Sequence, residues 1–346
     1  MSSAATEDGA RAGRATLMKG SSPLDGERRH AGVLFLTSPA KSNVVKYFQE
    51  REGVFQRIVG RAPEVAVLQS VGSTFEVRSN TSRFIAEAKG TVRRLSPDVV
   101  VDALDSAVAS SQLIEFALEQ GCAVVTTSSQ AVGCFGPVYR EMAYRAGTTF
   151  HYDACTGIGF PVGKVLGESL AGDEIGSLQG ILCWRATQQL RDSLASLDLR
   201  APSLHRQATA LWTGVVETVD EVRARAAAVA GIAFSRPMTS RDVLVEEPAI
   251  RKLQALKRHP RRAWIVTTFE QRGAALQIRV SPEALEPTHP LSWAGGQGTG
   301  LLVQTRAAGT LTFVSSQPSK YAEAGLVFND VVAAASRRSA PVRTTE

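Results

Sequence analysis

Cysteine is scarce here: four in 346 residues, at positions 122, 134, 155 and 183, with no C-x-x-C pair among them. That spacing excludes a disulfide framework and a zinc site, and predicts buried or free thiols in a reducing compartment. No apolar run approaches the roughly 20 residues that a membrane-crossing helix needs. The N-terminus has no hydrophobic stretch of the kind a secretory signal carries. Acidic Glu7, Asp8, Asp25 and Glu27 count against a transit peptide. The expectation is a cytoplasmic protein without membrane association. The net charge of +6 comes from arginines scattered along the chain rather than from a Lys/Arg tract interleaved with aromatics, so nucleic acid is not an expected partner. Glycine is missing from one place where it matters. The stretch GVLFLTSPAKSNVVKYF, residues 32 to 48, reads as strand, turn and helix, but its turn is Thr37-Ser38-Pro39-Ala40-Lys41.

What is present suffices for a large fold. Hydrophobic residues make up 44% of the chain, and its length fits two ordinary domains or one domain with a large insertion. Residues 1–30 hold almost no large apolar side chain and are expected to be a disordered tail, as are residues 337–346. Between the tails, GVLFLT, EVAVLQSV, DVVVDAL and AVVTT are short apolar strands, separated by segments of helical spacing. SNVVKYFQEREGVFQRIV reads as one helix capped by Ser42 or Asn43, and SSQLIEFALEQG as another ending at Gly121. Strands alternating with helices imply a parallel sheet. After Pro161 the pattern changes. SLQGILCW resembles a strand, residues 186 to 230 a long helical region, and AWIVTTFEQ, AALQIRVSPEAL, GLLVQTRAAG and TLTFVSS four antiparallel strands before a last helix, AEAGLVFNDVVAAAS.

The predicted fold class is therefore α/β: a Rossmann-like parallel-sheet domain over 31–150, to which 315–336 returns, plus an α+β catalytic and dimerisation domain over 151–314. The alternating apolar and polar residues of the late strands leave a sheet face that needs cover.

The order of these segments resembles the homoserine dehydrogenases over roughly residues 31 to 336. EQGCAVVTTSSQAV is similar to that family's fourth strand and loop, and FHYDACTGIGFPVGKVLGESLAGDEIGSLQGIL to its glycine-rich loop, helix and strand leading into the catalytic domain. EPTHPLSWAGGQGTGLLVQTRAAGTLTF and AEAGLVFNDVVAAA are similar to its closing β segment and helix. The resemblance implies an NAD(P)-dependent oxidoreductase, usually dimeric, that acts on an amino-acid semialdehyde or a related small substrate, here in a specialised pathway. The alternative is a catalytically inactive relative that binds a metabolite or a protein partner. A homodimer paired through the late strands is the expected assembly.

The positions matching the family's motifs are altered. A pyrophosphate seats closely on glycine because no Cβ holds the backbone away, yet Ser38, Pro39 and Ala40 carry side chains and Pro39 lacks an N–H. Gln69 and Ser70 stand where an acidic residue holds a ribose, and Ser315-Ser316-Gln317-Pro318-Ser319 replaces the glycine-rich loop before the last helix. Cofactor contacts are expected from Ser38, Lys41, Ser42 and Ser129, to NADP or NAD, weakly or not at all. Substrate contacts are expected from Gly157, Gly159 and Pro161 of the turn that keeps the family's glycines, from Arg185 in place of a small open turn, and from Glu247. The resemblance assigns a monovalent cation to Asp153 and its loop. It assigns general-acid catalysis to Lys252 in EEPAIRKLQAL, as the proton donor to a developing alkoxide.

Overall fold

A computed structural model describes residues 30–70, 77–157, 159–198, 200, 203–295 and 298–339. Of the expected tails, 1–30 and 337–346, residues 1–29 and 340–346 lie outside the described residues, whereas His30 opens the first strand and 337–339 continue the last helix.

The first half contains β1 (His30–Thr37), α1 (Ser42–Gln49), α2 (Glu52–Val59), β2 (Ala62–Gln69), α3 (Val77–Leu95) and β3 (Val99–Ala103). It continues through α4 (Ala107–Glu119), β4 (Ala123–Thr126), α5 (Ser129–Arg145) and β5 (Phe150–His151). Its five strands pair in parallel in the order β2-β1-β3-β4-β5. The apolar run of β1 is buried on both faces, as a strand covered by helices on two sides must be. Val33 and Phe35 point into one cluster with Val44, Phe48 and Phe55, while Leu34 and Leu36 point into another with Leu113 and Leu118.

The segment read as one helix over 42–59 is two, broken at Glu50 and Arg51, so that Phe48 and Phe55 stack at 5.4 Å against the same face of the sheet. Neither Ser42 nor Asn43 caps α1. Lys41 is its N-cap residue, and a 3-10 turn over Pro39–Lys41 precedes it. Gly121 has φ of 71° just past α4, the left-handed conformation that ends a helix.

The second half begins with α6 (Val162–Lys164), which continues as a π-helical turn, Val165–Ser169. Then come β6 (Ile175–Ile181), α7 (Trp184–Ser196), α8 (Leu204–Ala233), β7 (Val243–Val245), α9 (Ile250–Arg258), β8 (Ala263–Arg272), β9 (Ala275–Ala284), β10 (Thr299–Thr305) and β11 (Thr310–Ser315). The helical region over 186 to 230 is thus two helices. Six strands order as β11-β10-β6-β8-β9-β7. The late strands form two antiparallel hairpins, β8–β9 and β10–β11, and β6 is inserted between them. The three-residue β7 runs parallel to β9 at the edge and was too short to be read from sequence. Helices α7, α8 and α9 bury one face through Leu190, Val222, Ala226, Val229 and Leu253.

The last helix, α10 (Ala322–Ser339), does not stay with this sheet. Its Val327, Phe328 and Val331 join the cluster of Phe35 and Phe48, with Phe328 at 5.6 Å from Phe48. The chain therefore crosses between the two sheets twice. Both crossings border the carboxyl ends of the parallel strands.

Candidate functional site

In an open parallel sheet, ligands bind beyond the carboxyl ends of the strands where the order reverses, here between β1 and β3. At that point Ser38 N–H donates to Ala103 O at 3.0 Å, Lys41 N–H to Ser38 O at 3.1 Å, and Ser42 N–H to Pro39 O. With Pro39 having no N–H, the chain itself uses most donors of the turn that a dinucleotide's phosphates would take. Side chains remain. Ser38 is 4% exposed, and its hydroxyl has no partner among the described residues. Lys41 reaches across the strand ends, where its ammonium donates to Thr127 Oγ1 at 2.7 Å and pairs with Glu323 of α10 at 3.0 Å. Ser129 opens α5 just past β4 and is buried, whereas Ser42 is exposed on α1. Asp102, near the end of β3, is buried and accepts from Thr126 Oγ1 at 2.7 Å and Ser110 Oγ at 2.9 Å; burial pushes its carboxyl above the ordinary range.

Beside this crevice, α8 carries a charged pair that sequence reasoning missed. Arg225 is 6% exposed and donates from Nη2 to Glu221, one turn earlier, at 2.6 Å. Arg225 Nε and Nη1 are buried with no partner among the described residues. Cys155, whose Sγ donates to Thr126 O at 3.4 Å, and Cys183, just after β6, both lie within reach of the Arg225 charge. Burial pushes both thiols up, and that effect outweighs the guanidinium. For Glu221 burial raises the pKa, but the charges of Arg225, Arg185 and Lys41 prevail and leave it lowered. The side chains of Lys41, Cys155, Cys183, Arg185, Glu221 and Arg225 thus converge where the sheets meet. A legible signal existed: one arginine set in the small apolar run ARAAAVAG, four residues after a glutamate.

The turn 153–161 forms the adjoining wall. Gly159 has φ of 102°, and a Cβ there would run into the Ser315 hydroxyl; at Gly157 a Cβ would meet Val162 at 2.8 Å and Thr299 at 3.2 Å. Glycine is needed here for conformation and for close approach of the β10–β11 hairpin. Pro161 is the N-cap of α6.

Asp153 is buried, and Lys164 pairs with its carboxylate at 3.4 Å and with Asp330 of α10 at 2.7 Å, while Asp153 N–H donates to Asp330 Oδ2 at 2.9 Å. The positive charge beside Asp153, where a monovalent cation was expected, is therefore the Lys164 ammonium. Among the described residues, no group of three or more His, Cys, Asp or Glu side chains could hold a metal. A cleft of about 650 Å³ opens beside this triad, lined also by His151, Arg140 and Arg236. Burial and the charges of Lys164 and Arg337 lower the His151 pKa to about 4.

Lys252 and Glu247 are placed elsewhere. Lys252 lies on α9 and pairs with Glu283 of β9 at 2.8 Å, and Glu283 also accepts from Ser281 Oγ. Glu247 is exposed in the corner between β7 and α9. Arg185, exposed at the start of α7, is the sequence-predicted substrate residue whose charge reaches the Glu221–Arg225 pair.

A Rossmann-like parallel sheet, joined twice to a mostly antiparallel sheet with charged side chains at the junction, defines a two-part α/β protein. No family model matches the chain. The homoserine dehydrogenase of Corynebacterium glutamicum is 26% identical over 262 residues, 72% of this chain. That of Mycobacterium tuberculosis is 27% identical over 337 residues, 91% of this chain. The chain spans 59% of the length of the first and 74% of the second. Among solved structures, a homoserine dehydrogenase from Thiobacillus denitrificans superposes with a TM-score of 0.71 at 17% identity, over 92% of this chain and 76% of that one. A hyperthermophilic archaeal homoserine dehydrogenase in complex with NADPH superposes at 0.66 and 17%, over 90% of this chain and 99% of that one. The chain is thus similar to homoserine dehydrogenases in sequence and in fold, at low identity to each of these relatives.

Proposed function

We propose that the protein is an NAD(P)-dependent oxidoreductase that acts on a small carbonyl or alcohol substrate, of the amino-acid semialdehyde type, at the junction between its two sheets. The observation that carries this reading is the convergence of Lys41, Glu221 and Arg225 at the carboxyl ends of the parallel strands, where the reactive end of a bound dinucleotide falls in this fold.

The residues fit a dinucleotide held by side chains rather than by backbone. The unpartnered Ser38 hydroxyl and the Lys41 ammonium are suited to phosphate oxygens, and Ser129 borders them. The grip is weaker than that of a glycine turn, because each lost charge-assisted hydrogen bond removes roughly 1.5–3 kcal/mol. When bound, the nicotinamide supplies or accepts the hydride. The chain contributes the walls around it: Gly157 and Gly159 bring the backbone close, Cys155 and Cys183 keep neutral thiols at the junction, and Glu221 holds the Arg225 guanidinium in place. Arg225 itself is a fixed charge and not a proton donor.

The Mycobacterium and Corynebacterium relatives are homoserine dehydrogenases, and L-homoserine with NADP is the first pair to assay. Fluorescence titration with NADPH, NADP and NAD is expected to give dissociation constants nearer millimolar than micromolar, with no preference for NAD, since Gln69 and Ser70 offer the ribose no carboxylate. Low-micromolar NAD binding overturns that weak grip. A second reading, a non-catalytic relative that binds a metabolite or a protein partner, draws on the consumed N–H groups of the first turn and on Glu323 already lying on Lys41. Absence of dinucleotide binding at millimolar concentration selects it.

A further inference from the structure

We propose that the cleft between α5, the end of α8 and α10 is a second ligand site, which takes the phosphate ester of a small organic molecule. It stands apart from the crevice: none of Ser38, Lys41, Glu221 and Arg225 lines it, and of the turn 153–161 it meets only Asp153. The proposal does not rest on the oxidoreductase reading.

Three guanidiniums carry it. Arg140 comes from α5, Arg236 from the segment after α8 and Arg337 from the last turn of α10, and all three line this one cleft. Three carboxylates line it too, yet none of them pairs with a guanidinium: Asp153 and Asp330 hold Lys164, and Glu168 is exposed. With Lys164, four cations face three carboxylates, and His151 is uncharged at neutral pH. A lone arginine on open surface needs no partner, because water solvates it. Charges of one sign gathered in a concavity are different, since the protein walls focus their field and draw in an anion.

Two of the three are held by groups that leave their charge intact. Arg140 reaches the hydroxyl of the half-buried Tyr152. Gly231 makes room for it on α8: a Cβ there would stand 3.3 Å from Arg140 Nη2 and 3.3 Å from Arg236 O, so both arginines flank one point of the helix. Arg236 Nη1 donates to Ala274 O, between β8 and β9, at 2.6 Å. A hydroxyl or a carbonyl fixes a guanidinium without neutralising it, and each guanidinium has further N–H donors to offer.

The rest of the lining sets the class of ligand. Pro137, Phe150, Ile232 and Pro237 give the cleft an apolar wall, and its volume of about 650 Å³ is that of a small-molecule site rather than of an inorganic anion. Guanidinium donors match phosphate oxygens in pairs. A phosphoryl dianion on an organic body therefore meets both parts of the lining. Such a ligand touches Arg140 and Arg337 of the parallel-sheet half and Arg236 of the other, and ties the two halves together.

Calorimetry on the full chain, without cofactor, tests this with phenyl phosphate, inorganic phosphate and phenol as probes. Phenyl phosphate is expected to bind, and the other two to bind roughly tenfold more weakly or not at all. Arg236→Gln and Arg337→Gln should each weaken phenyl phosphate on the order of tenfold, the loss of one charge-assisted hydrogen bond. Lys41→Gln, in the crevice, should leave it unchanged. Thermal melting checks that each variant folds; Arg337 is exposed, so its variant carries the test should Arg236→Gln not fold. The proposal is overturned if phenyl phosphate does not bind at millimolar concentration, if Lys41→Gln removes its binding, or if binding survives the arginine substitutions. Inorganic phosphate or phenol binding as tightly as the ester overturns the class of ligand assigned here.

Discussion

Single residues on either side of the junction make separable predictions. Gly159 sits at a φ where a side chain is strained, with Ser315 in the space a Cβ would take. Gly159→Ala should cost roughly 1–3 kcal/mol from backbone strain alone, seen as a lower melting temperature, and more if Ser315 cannot turn away. A melting temperature equal to that of the native chain would show that the turn adjusts freely. Asp330 gives a pH signature. Burial, reinforced by neighbouring Asp153, pushes its carboxyl from 3.8 up to about 7, against the opposing pull of Lys164. A carboxyl whose folded pKa is raised stabilises the fold at low pH, and that contribution is lost as pH rises through the folded value. Asp330→Asn cannot titrate. The stability of the native chain relative to this variant should therefore be highest near pH 4 and decline toward pH 7.5. A relative stability that grows over this window contradicts the assignment.

At the scale of elements, the last helix and α9 decide which lysine matters. Glu323, in the first turn of α10, lies on Lys41 and occupies the charge that a phosphate would use. The pair is partly exposed, so its removal is worth about 0.2–1 kcal/mol. Glu323→Gln should tighten NADPH binding by roughly two- to fivefold, and an unchanged constant would mean that Lys41 does not meet the phosphates. Lys252 belongs to a different corner. On α9, paired with Glu283, it is placed as a surface ion pair. Lys252→Ala should leave kcat unchanged and cost at most about 1 kcal/mol of stability; a drop of about a hundredfold or more in kcat would restore it as the general acid. The strands of the first sheet were legible because their apolar runs are short and bounded by polar turns. The Glu221–Arg225 pair left only a faint trace, the arginine within ARAAAVAG, because it lies in the middle of a 30-residue helix that carries other charges as well. A charge that is buried there looks, in sequence, like any charge on a helix surface. Lys252 was assigned from the resemblance of EEPAIRKLQAL to a family motif, and such a match does not reveal which way a helix faces.

For the whole molecule, the open question of assembly lies in the second face of the six-stranded sheet. One end of that face is closed by the chain itself: the 3-10 segment Pro290–Ala294 covers Ile181, Trp264, Val266 and Leu285 through Leu291 and Ala294. The expectation that the whole face needs apolar cover is met only there. At the other end stand Gln179, Thr268, Glu270 and Arg279, half-buried but polar, with Trp293 59% exposed at the margin. An interface on this face would combine an aromatic anchor with a polar field. Aromatic and arginine side chains are enriched at interfaces, and Trp293 and Arg279 supply one of each. A homodimer built face to face through this sheet is the expected state, giving twice the chain mass by light scattering at micromolar concentration. Thr268→Arg would place a new charge at the middle of that contact, repeated by the symmetry of the pair, and should shift the mass toward the monomer while leaving the melting of the parallel-sheet half unchanged. A monomeric mass for the native chain, or a dimer indifferent to Thr268→Arg, would move the interface off this face.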